Sequence, residues 1–132
     1  KDHLQLRDGQ RVHFELGRSV VAQCGALISQ VLYVKHGHEK DFVIVDAGMS
    51  DLLRPALYGS AHQARNLSHP EAPSARFDIV GPICESSDVF LSDYTMPSPQ
   101  RGDLIAFKSA GAYGEIMASG YNCRQLPESW ID

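Results

Sequence analysis

A thiol and a carboxylate stand side by side at Cys84 and Glu85, between a Gly81-Pro82 turn and the polar run 86–88. A protonated thiol can donate a proton to a reacting carbon, and a neighbouring carboxylate can hold the amine of a substrate. The commoner arrangement in proteins is a buried, inert cysteine with an exposed glutamate beside it. The pair is therefore a candidate for chemistry only if other parts of the chain supply the rest of a site.

Arg54 and Tyr58 form a second candidate group, because they lie four residues apart in Arg54-Pro55-Ala56-Leu57-Tyr58. In one helical turn, side chains at this spacing point to the same side. The guanidinium fork and the phenol hydroxyl can together hold a carboxylate. A surface arginine next to a half-buried tyrosine is the plainer alternative.

Two further blocks have the composition of ligand-binding turns. In Glu15-Leu16-Gly17-Arg18, the glycine lets the backbone approach a ligand closely, and its N–H can meet a phosphate. The alternative is a strand end with an ordinary ion pair. The run 110–114 presents Tyr113 from a turn of small residues, either into a site or packed over a loop.

Composition and charge exclude several classes of protein. A chain of 132 residues, 43% of them hydrophobic, has room for one domain with a buried core. A net charge of −4 without a basic stripe argues against a nucleic-acid partner. No apolar run approaches the roughly 20 residues that cross a bilayer, and no leader-like segment opens the chain. We therefore expect neither a membrane nor a nucleic-acid partner.

The cysteines and histidines do not predict a metal site. Cys24, Cys84 and Cys123 are too widely spaced for a zinc ribbon and odd in number, so we expect reduced thiols in a cytoplasmic protein. His36 and His38 flank a glycine in a polar loop, where histidines are usually solvated.

Short strands separated by Gly/Pro turns predict a mainly β sandwich or barrel with few short helices. The helical parts are one turn at Ser19–Gln23 and a piece at Asp51–Tyr58, where Pro55 fits a first turn. Residues 36–40, 68–74 and 95–102 are predicted as loops or turns. The predicted strands are Val12–Glu15, Ala26–Lys35, Phe42–Asp46, Arg76–Val80, Val89–Leu91 and Asp103–Lys108.

Taken together and in order, the four blocks resemble the C-terminal part of the diaminopimelate decarboxylases, a branch of the fold-type III pyridoxal-phosphate decarboxylases. The run 45–49 followed by Asp51–Tyr58 is close to that branch, whereas ornithine and arginine decarboxylases lack the Arg-Pro-Ala-Leu-Tyr block and carry Asp where this chain has Glu85. The resemblance implies a C-terminal β-sandwich or barrel domain at 18–132, incomplete at its end. Residues 1–17 would be a remnant of the last strand of a (β/α)8 barrel.

The resemblance also implies a cofactor, pyridoxal 5'-phosphate. Glu15 resembles the acid that pairs with the cofactor's ring nitrogen, and Gly17 resembles a backbone contact to its phosphate. Arg18 resembles a residue that meets the phosphate or a substrate carboxylate. Tyr113 resembles a residue that reaches both cofactor and substrate.

The remaining roles concern the substrate, which the resemblance implies to be meso-2,6-diaminopimelate. Arg54 and Tyr58 resemble the pair that holds its distal end, and Glu85 resembles the ligand of its amine. Cys84 resembles the catalytic proton donor. In the family, Cys84 and Glu85 would complete the site of the partner in a homodimer.

The chain departs from the family pattern at Leu16, where Pro is usual, at Ser87, where Gly is usual, and at Cys123, where Ser is usual. None of the four lysines stands in the family's context for the lysine that binds the cofactor. We therefore expect part of a decarboxylase of lysine biosynthesis that is inactive by itself. The alternatives are the β domain of an arginine, ornithine or carboxynorspermidine decarboxylase, a non-catalytic regulatory homologue, or a plain β binding module.

Overall fold

A single six-stranded sheet dominates the structure, a computed structural model that describes residues 3–131. One short helix, α1 (Arg54–Tyr58), and four 3-10 turns (Arg18–Val20, Ala22–Cys24, Glu115–Met117 and Tyr121–Cys123) accompany it in that range. None of these helices is long and apolar enough to cross a membrane. The strands are β1 (Ala26–Lys35), β2 (Asp41–Val45), β3 (Ala64–Asn66), β4 (Ser74–Val80), β5 (Val89–Pro97) and β6 (Leu104–Lys108).

The strands follow the order β3-β6-β1-β2-β4-β5, and every neighbouring pair is antiparallel except β2 with β4. Strands β1 and β2 form a hairpin around the polar loop 36–40, as the sequence predicts. A parallel pair cannot be joined by a tight turn and needs a long crossover connection. The crossover from β2 to β4 contains α1 and β3.

A tyrosine closes the sheet toward a barrel. The Tyr94 hydroxyl on β5 donates a hydrogen bond to the Ala64 carbonyl on β3 at 3.1 Å and accepts one from the Ala64 N–H at 3.3 Å. The two outer strands of the sheet are therefore linked by a side chain. This nearly closed, mainly β architecture with few short helices confirms the predicted fold class.

The interior of the barrel holds the apolar core. The Phe90 and Phe107 rings lie 4.4 Å apart between centroids and tilted by 32°, which joins the two halves of the sheet. Leu52, just before α1, belongs to the same core and anchors the helix to the barrel. The buried members are Val31, Val43, Val45, Ala47, Leu52, Ala64, Phe77, Ile79, Phe90, Met96, Ile105 and Phe107.

The strand predicted at Val12–Glu15 is wrong for this structure, because that segment lies outside the sheet and exposed. An apolar run becomes a strand only when another backbone satisfies its N–H and C=O groups. No strand of the described residues lies beside it. The assignment of 1–17 to a barrel strand stays a prediction, and Lys1 and Asp2 fall outside the described residues.

The predicted turn at Thr95–Gly102 is wrong in its first part, because β5 continues through Met96 to Pro97. Proline lacks a donor, but a strand end tolerates it. Asp93, with φ 53°, forms a bulge in β5, and its N–H donates to the buried Asp78 carboxylate at 2.8 Å. Strand β3 was missed, because three residues are too short to show a pattern. Helix α1 begins three residues later than predicted.

A buried carboxylate organises the loops beside β3 and β6. Asp103 accepts hydrogen bonds from the Gln100 N–H at 2.9 Å, from the Asn66 amide at 3.2 Å and from His69 Nδ1 at 3.0 Å. Burial favours the neutral acid, but these hydrogen bonds outweigh it and leave the pKa of Asp103 lowered. The hydrogen bond and the charge of Asp103 in turn raise the pKa of His69.

We expect the free energy of unfolding to fall on both sides of a pH window that this pair sets. The Asp103 contribution is present above its ordinary pKa of 3.8 and is lost as pH falls through its lowered pKa. The His69 contribution is present below 6.5 and is lost as pH rises through its raised pKa. Urea unfolding of the chain across about pH 3–9 measures both limbs.

Replacing His69 by Asn should flatten the alkaline limb, while the matched change His38→Asn, in the exposed 36–40 loop, should leave it intact. An alkaline limb that survives in the His69 variant would contradict the assignment.

Candidate active site

A turn at the end of β2, the Asp46–Asp51 turn, connects the parts of the site. Its Asp46 carboxylate accepts hydrogen bonds from the Ser29 hydroxyl at 2.6 Å and from the Gln30 N–H at 2.8 Å. The Ala47 N–H donates back to the Ser29 oxygen at 2.9 Å. Asp51 closes the turn by accepting from the Gly48 N–H at 2.7 Å. The turn is thereby fixed to β1, and α1 follows it directly.

The Gly81–Asp88 loop carries Cys84 and Glu85 and is attached to this turn by one carboxylate. Buried Asp88 accepts hydrogen bonds from the Met49 N–H at 2.6 Å and from the Ile83 N–H at 2.7 Å. Burial raises the pKa of Asp88, and these two N–H groups act against the rise. A methyl group at Gly81 would overlap the Asp88 carboxylate, so the loop needs glycine there.

Cys84 and Glu85 are both exposed in this loop. The alternative of a buried, inert cysteine is therefore wrong. The loop turns back on itself through the Glu85 N–H to Ile83 carbonyl bond at 2.8 Å and the Asp88 N–H to Glu85 carbonyl bond at 3.0 Å. Both side chains are presented to solvent from a backbone that is fixed on either side.

Arg54 lies between two tyrosine rings. Its guanidinium carbon is 4.8 Å from the centre of the Tyr58 ring and 5.5 Å from that of Tyr113, both within cation–π range. Its Nη1 meets the Met117 sulfur at 4.0 Å, and its buried Nε–H has no acceptor among residues 3–131. Stacking on the faces of the rings leaves the edge of the guanidinium, with its donors, available for a planar anion such as a carboxylate.

The backbone conformation places the side chains of Arg54, Tyr58 and Tyr113 next to one another. Helix α1 has Pro55 in its first turn and ends at Gly59, whose φ of 61° is left-handed. Tyr113 also has a left-handed φ, 57°, in the small-residue turn 110–114. The sequence predicted the Arg54–Tyr58 pairing from spacing, and the structure adds Tyr113 to it.

The segment with Gly17 and Arg18 meets the Tyr113 turn at a cleft of about 480 Å³. Gly111 fits closely here, because a methyl group on it would overlap the Val21 carbonyl. Glu15 does not line this cleft and makes no ion pair or hydrogen bond within residues 3–131. The lining residues are Leu16, Gly17, Arg18, Val20, Val21, Gly111, Ala112, Tyr113 and Ile116.

The sequence reasoning missed Tyr121, whose hydroxyl donates a hydrogen bond to Glu85 Oε1. The segment 115–124 returns to the Asp46–Asp51 turn on both sides of this residue. The Ser119 N–H donates to the Ser50 carbonyl at 2.9 Å, and Arg124 donates to the Asp46 carbonyl and, at 3.3 Å, to Asp51. Neither spacing nor composition marked Tyr121, because its partner is 36 residues away in the chain.

The candidate residues thus form two groups. Arg54, Tyr58 and Tyr113 make one, and Cys84, Glu85 and Tyr121 make the other. Both are tied to the Asp46–Asp51 turn, but within residues 3–131 no hydrogen bond, ion pair or cation–π contact joins one group to the other.

A second cleft, of about 300 Å³, lies beside the hairpin loop and β4. Four of its charged side chains already have partners: Lys40 pairs with Asp78, and Arg76 pairs with Asp93 at 3.3 Å. A polar ligand here would have to displace these pairs, so this cleft is the weaker candidate.

A sequence model of the family described as "Pyridoxal-dependent decarboxylase, C-terminal sheet domain" matches residues 19–111, well over half of the chain. The chain belongs to this family. The matched range begins one residue after Arg18 and ends before Tyr113, so it covers the Arg54 and Cys84 segments but leaves out Gly17, Arg18 and Tyr113 of the cleft.

Individual relatives extend the similarity toward both ends of this sheet domain. The diaminopimelate decarboxylase of Bacteroides thetaiotaomicron is 61% identical over 127 residues, which are 96% of this chain and 33% of that protein. The Pseudomonas aeruginosa diaminopimelate decarboxylase is 49% identical over 94% of this chain and 29% of its own length. The chain spans about a third or less of these relatives.

Among solved structures, the crystal structure of diaminopimelate decarboxylase from Helicobacter pylori complexed with L-lysine has a TM-score of 0.78 to this sheet domain. It is 52% identical and covers 85% of this chain and 27% of that one. The sheet domain therefore has an experimentally known fold.

The family's name specifies a pyridoxal cofactor, and the Gly17–Tyr113 cleft presents groups of the kind that suit a phosphate. A side-chain carbon at Gly17 would meet nothing within 4 Å, so the backbone there is open to a ligand. The Arg18 cation and the Tyr113 hydroxyl supply donors that suit a phosphate. Lys35, Lys40 and Lys108, the lysines of the described residues, do not line the cleft.

We expect Asp88→Ala to destabilise the fold by about 2 kcal/mol, because two backbone N–H groups at Met49 and Ile83 lose their acceptor. Urea unfolding followed by circular dichroism measures the loss. The exposed Ser86→Ala in the same loop is the matched control and should unfold at the parent midpoint. Equal midpoints for the two variants would show that Asp88 does not hold the loop.

Proposed function

We propose that this chain is the C-terminal domain of a diaminopimelate decarboxylase, which converts meso-2,6-diaminopimelate to L-lysine and carbon dioxide in the last step of lysine biosynthesis. The observation that carries the proposal is Arg54, stacked against the Tyr58 and Tyr113 rings with an unsatisfied Nε–H. A half-buried cation held in this way favours an anionic partner, and the distal carboxylate of diaminopimelate is one.

The distal carboxylate discriminates between the candidate substrates. Arginine and ornithine have no anion at the far end of the side chain, so they would leave the Arg54 guanidinium desolvated and unpaired. An unpaired buried polar partner is the strongest means by which a site rejects an analogue. The identities of 49–61% to diaminopimelate decarboxylases support the same choice.

Pyridoxal phosphate would be held by Gly17, Arg18 and Tyr113 at its phosphate and by Glu15 at its ring nitrogen. When bound, this cofactor supplies an electron sink that accepts the charge left behind by departing carbon dioxide. Glu15 is exposed and has no hydrogen-bond or ion-pair partner within residues 3–131, so its carboxylate is available to a ring nitrogen. Arg18 can also meet a substrate carboxylate.

Decarboxylation breaks the bond between the α-carbon and its carboxyl group, and the electron pair stays on the carbon side. A proton must then be added to that carbon. Cys84 is an exposed thiol on a fixed loop and donates this proton, which solvent afterwards replaces. Glu85, next to it, accepts hydrogen bonds from the substrate ammonium group, which orients the carbon toward the thiol.

Because no hydrogen bond, ion pair or cation–π contact within residues 3–131 joins the two groups, we infer a homodimer in which each subunit completes the site of the other. Arg54, Tyr58 and Tyr113 would serve one site, and the exposed Cys84–Glu85 loop would serve the site of the partner. The exposed thiols suit a reducing compartment, so we place the enzyme in the cytoplasm.

We expect Cys84→Ala in the full-length decarboxylase to lower kcat by at least about 100-fold and to change KM little, because loss of a general acid removes a transition-state interaction. Lysine formation from diaminopimelate is the measurement. Cys24→Ser, which keeps the hydrogen bond from residue 24 to the Val21 carbonyl, is the control and should retain the parent rate. An unchanged kcat in the Cys84 variant would remove the thiol from the reaction.

We expect Arg54→Lys to raise KM for diaminopimelate about tenfold or more, because lysine keeps the charge but loses the fork and the stacking on Tyr58 and Tyr113. Arg65→Lys, on the exposed face of β3, is the matched control. Steady-state kinetics with diaminopimelate, arginine and ornithine test the assignment. An equal increase in KM for all three substrates would show that Arg54 does not recognise the distal carboxylate.

A further inference from the structure

We propose that Tyr121 is a positioning residue that holds the Glu85 carboxylate in the orientation needed to bind the substrate amine. The inference rests on the proposed function for the role of Glu85, but the contact itself belongs to this chain. The Tyr121 hydroxyl donates to Glu85 Oε1, and no other residue of the described range contacts the Glu85 carboxylate through a hydrogen bond or ion pair.

Glu85 needs such a partner because it is exposed. A glutamate side chain on the surface samples many rotamers, and fixing it on binding costs conformational entropy. The Tyr121 ring is rigid beyond two torsion angles and meets the carboxylate from a different segment of the chain. With Oε1 occupied by the phenol, Oε2 stays open to accept from an ammonium group.

A phenol is suited to this task in a way that a cation is not. An arginine or lysine at position 121 would neutralise Glu85 and compete with the substrate ammonium group for it. The neutral hydroxyl orients the carboxylate and leaves its charge for the substrate. The Tyr121 pKa is raised, chiefly by the hydrogen bond to Glu85 and then by its negative charge, so the hydroxyl stays protonated at neutral pH.

The backbone conformation around Tyr121 directs its side chain toward the Cys84–Glu85 loop. Asn122 and Cys123 both adopt left-handed φ angles, 61° and 58°, which non-glycine residues rarely do in succession. The Ser119–Ser50 hydrogen bond lies on one side of them, and the contacts of Arg124 with the Asp46–Asp51 turn lie on the other. Unfavourable backbone of this kind persists only where the surroundings hold it, and here it aims the tyrosine at the Cys84–Glu85 loop.

The first test uses the 132-residue chain with ¹³Cζ-labelled tyrosine and follows the five tyrosine signals by NMR as pH is raised. Glu85→Gln should move the Tyr121 transition down toward the ordinary value near 10, since the carboxylate raises the pKa. Tyr121→Phe assigns the signal, and Tyr33→Phe, on β1, is the matched control. If the titration midpoint of Tyr121 is the same with and without Glu85→Gln, the contact is overturned.

The second test uses the full-length decarboxylase. Tyr121→Phe should raise KM for diaminopimelate about tenfold and lower kcat less, because the carboxylate remains but is no longer held. In a Glu85→Gln background the same change should add little, since the two residues act as one unit. A KM that Tyr121→Phe leaves unchanged would overturn the positioning role. So would a double variant in which the effects of the two substitutions on KM multiply.

The NMR and kinetic experiments distinguish failure of the proposed function from failure of the positioning role. If the parent enzyme does not act on diaminopimelate, the proposed function fails while the NMR arm still reports on the contact. If the parent enzyme is active and Tyr121→Phe matches Tyr33→Phe in KM, the positioning inference alone fails. Melting temperatures of the variants confirm that the comparison is made between folded proteins.

Discussion

The Asp46–Asp51 turn is the constraint on which the candidate site depends. Helix α1 follows it in the chain, the Cys84 loop is held to it through Asp88, and the Tyr121 segment is held to it by two separate contacts. Three segments far apart in sequence therefore share one reference point. The turn is itself tied to β1 through Ser29, so the geometry of the site follows from the barrel rather than from the flexibility of its loops.

Buried carboxylates hold the irregular backbone of this domain. Asp78, Asp88 and Asp103 each accept backbone N–H groups that no strand or helix satisfies. Burying a loop without such partners would cost a large amount of free energy, because its backbone N–H groups would lose their hydrogen bonds to water and form none within the protein. Because these three carboxylates accept backbone N–H groups, the positions of Asp78, Asp88 and Asp103 do not tolerate apolar residues, although they take no part in the chemistry.

The sequence predicted those features that are local. Strand β1 was predicted with its observed bounds because β-branched residues fill it, and the Arg54–Tyr58 pair follows from helical spacing. The partner of Glu85 could not be predicted, since a contact across 36 residues leaves no local pattern. Strand β3 escaped for a related reason, because its three residues form a strand only through pairing with β6. The strand expected at Val12–Glu15 failed because strand propensity cannot supply the neighbour that a strand requires.

The sheet order has a consequence for biosynthesis of the chain. Among the strands of residues 3–131, β6 comes last in the chain, yet it lies between β3 and β1 and pairs with both. Until residues 104–108 leave the ribosome, β3 has no strand to pair with and the six-stranded sheet is incomplete. The segment that bears Tyr121 is made later still. A chain that stops before residue 104 therefore lacks the completed scaffold on which Cys84 is displayed.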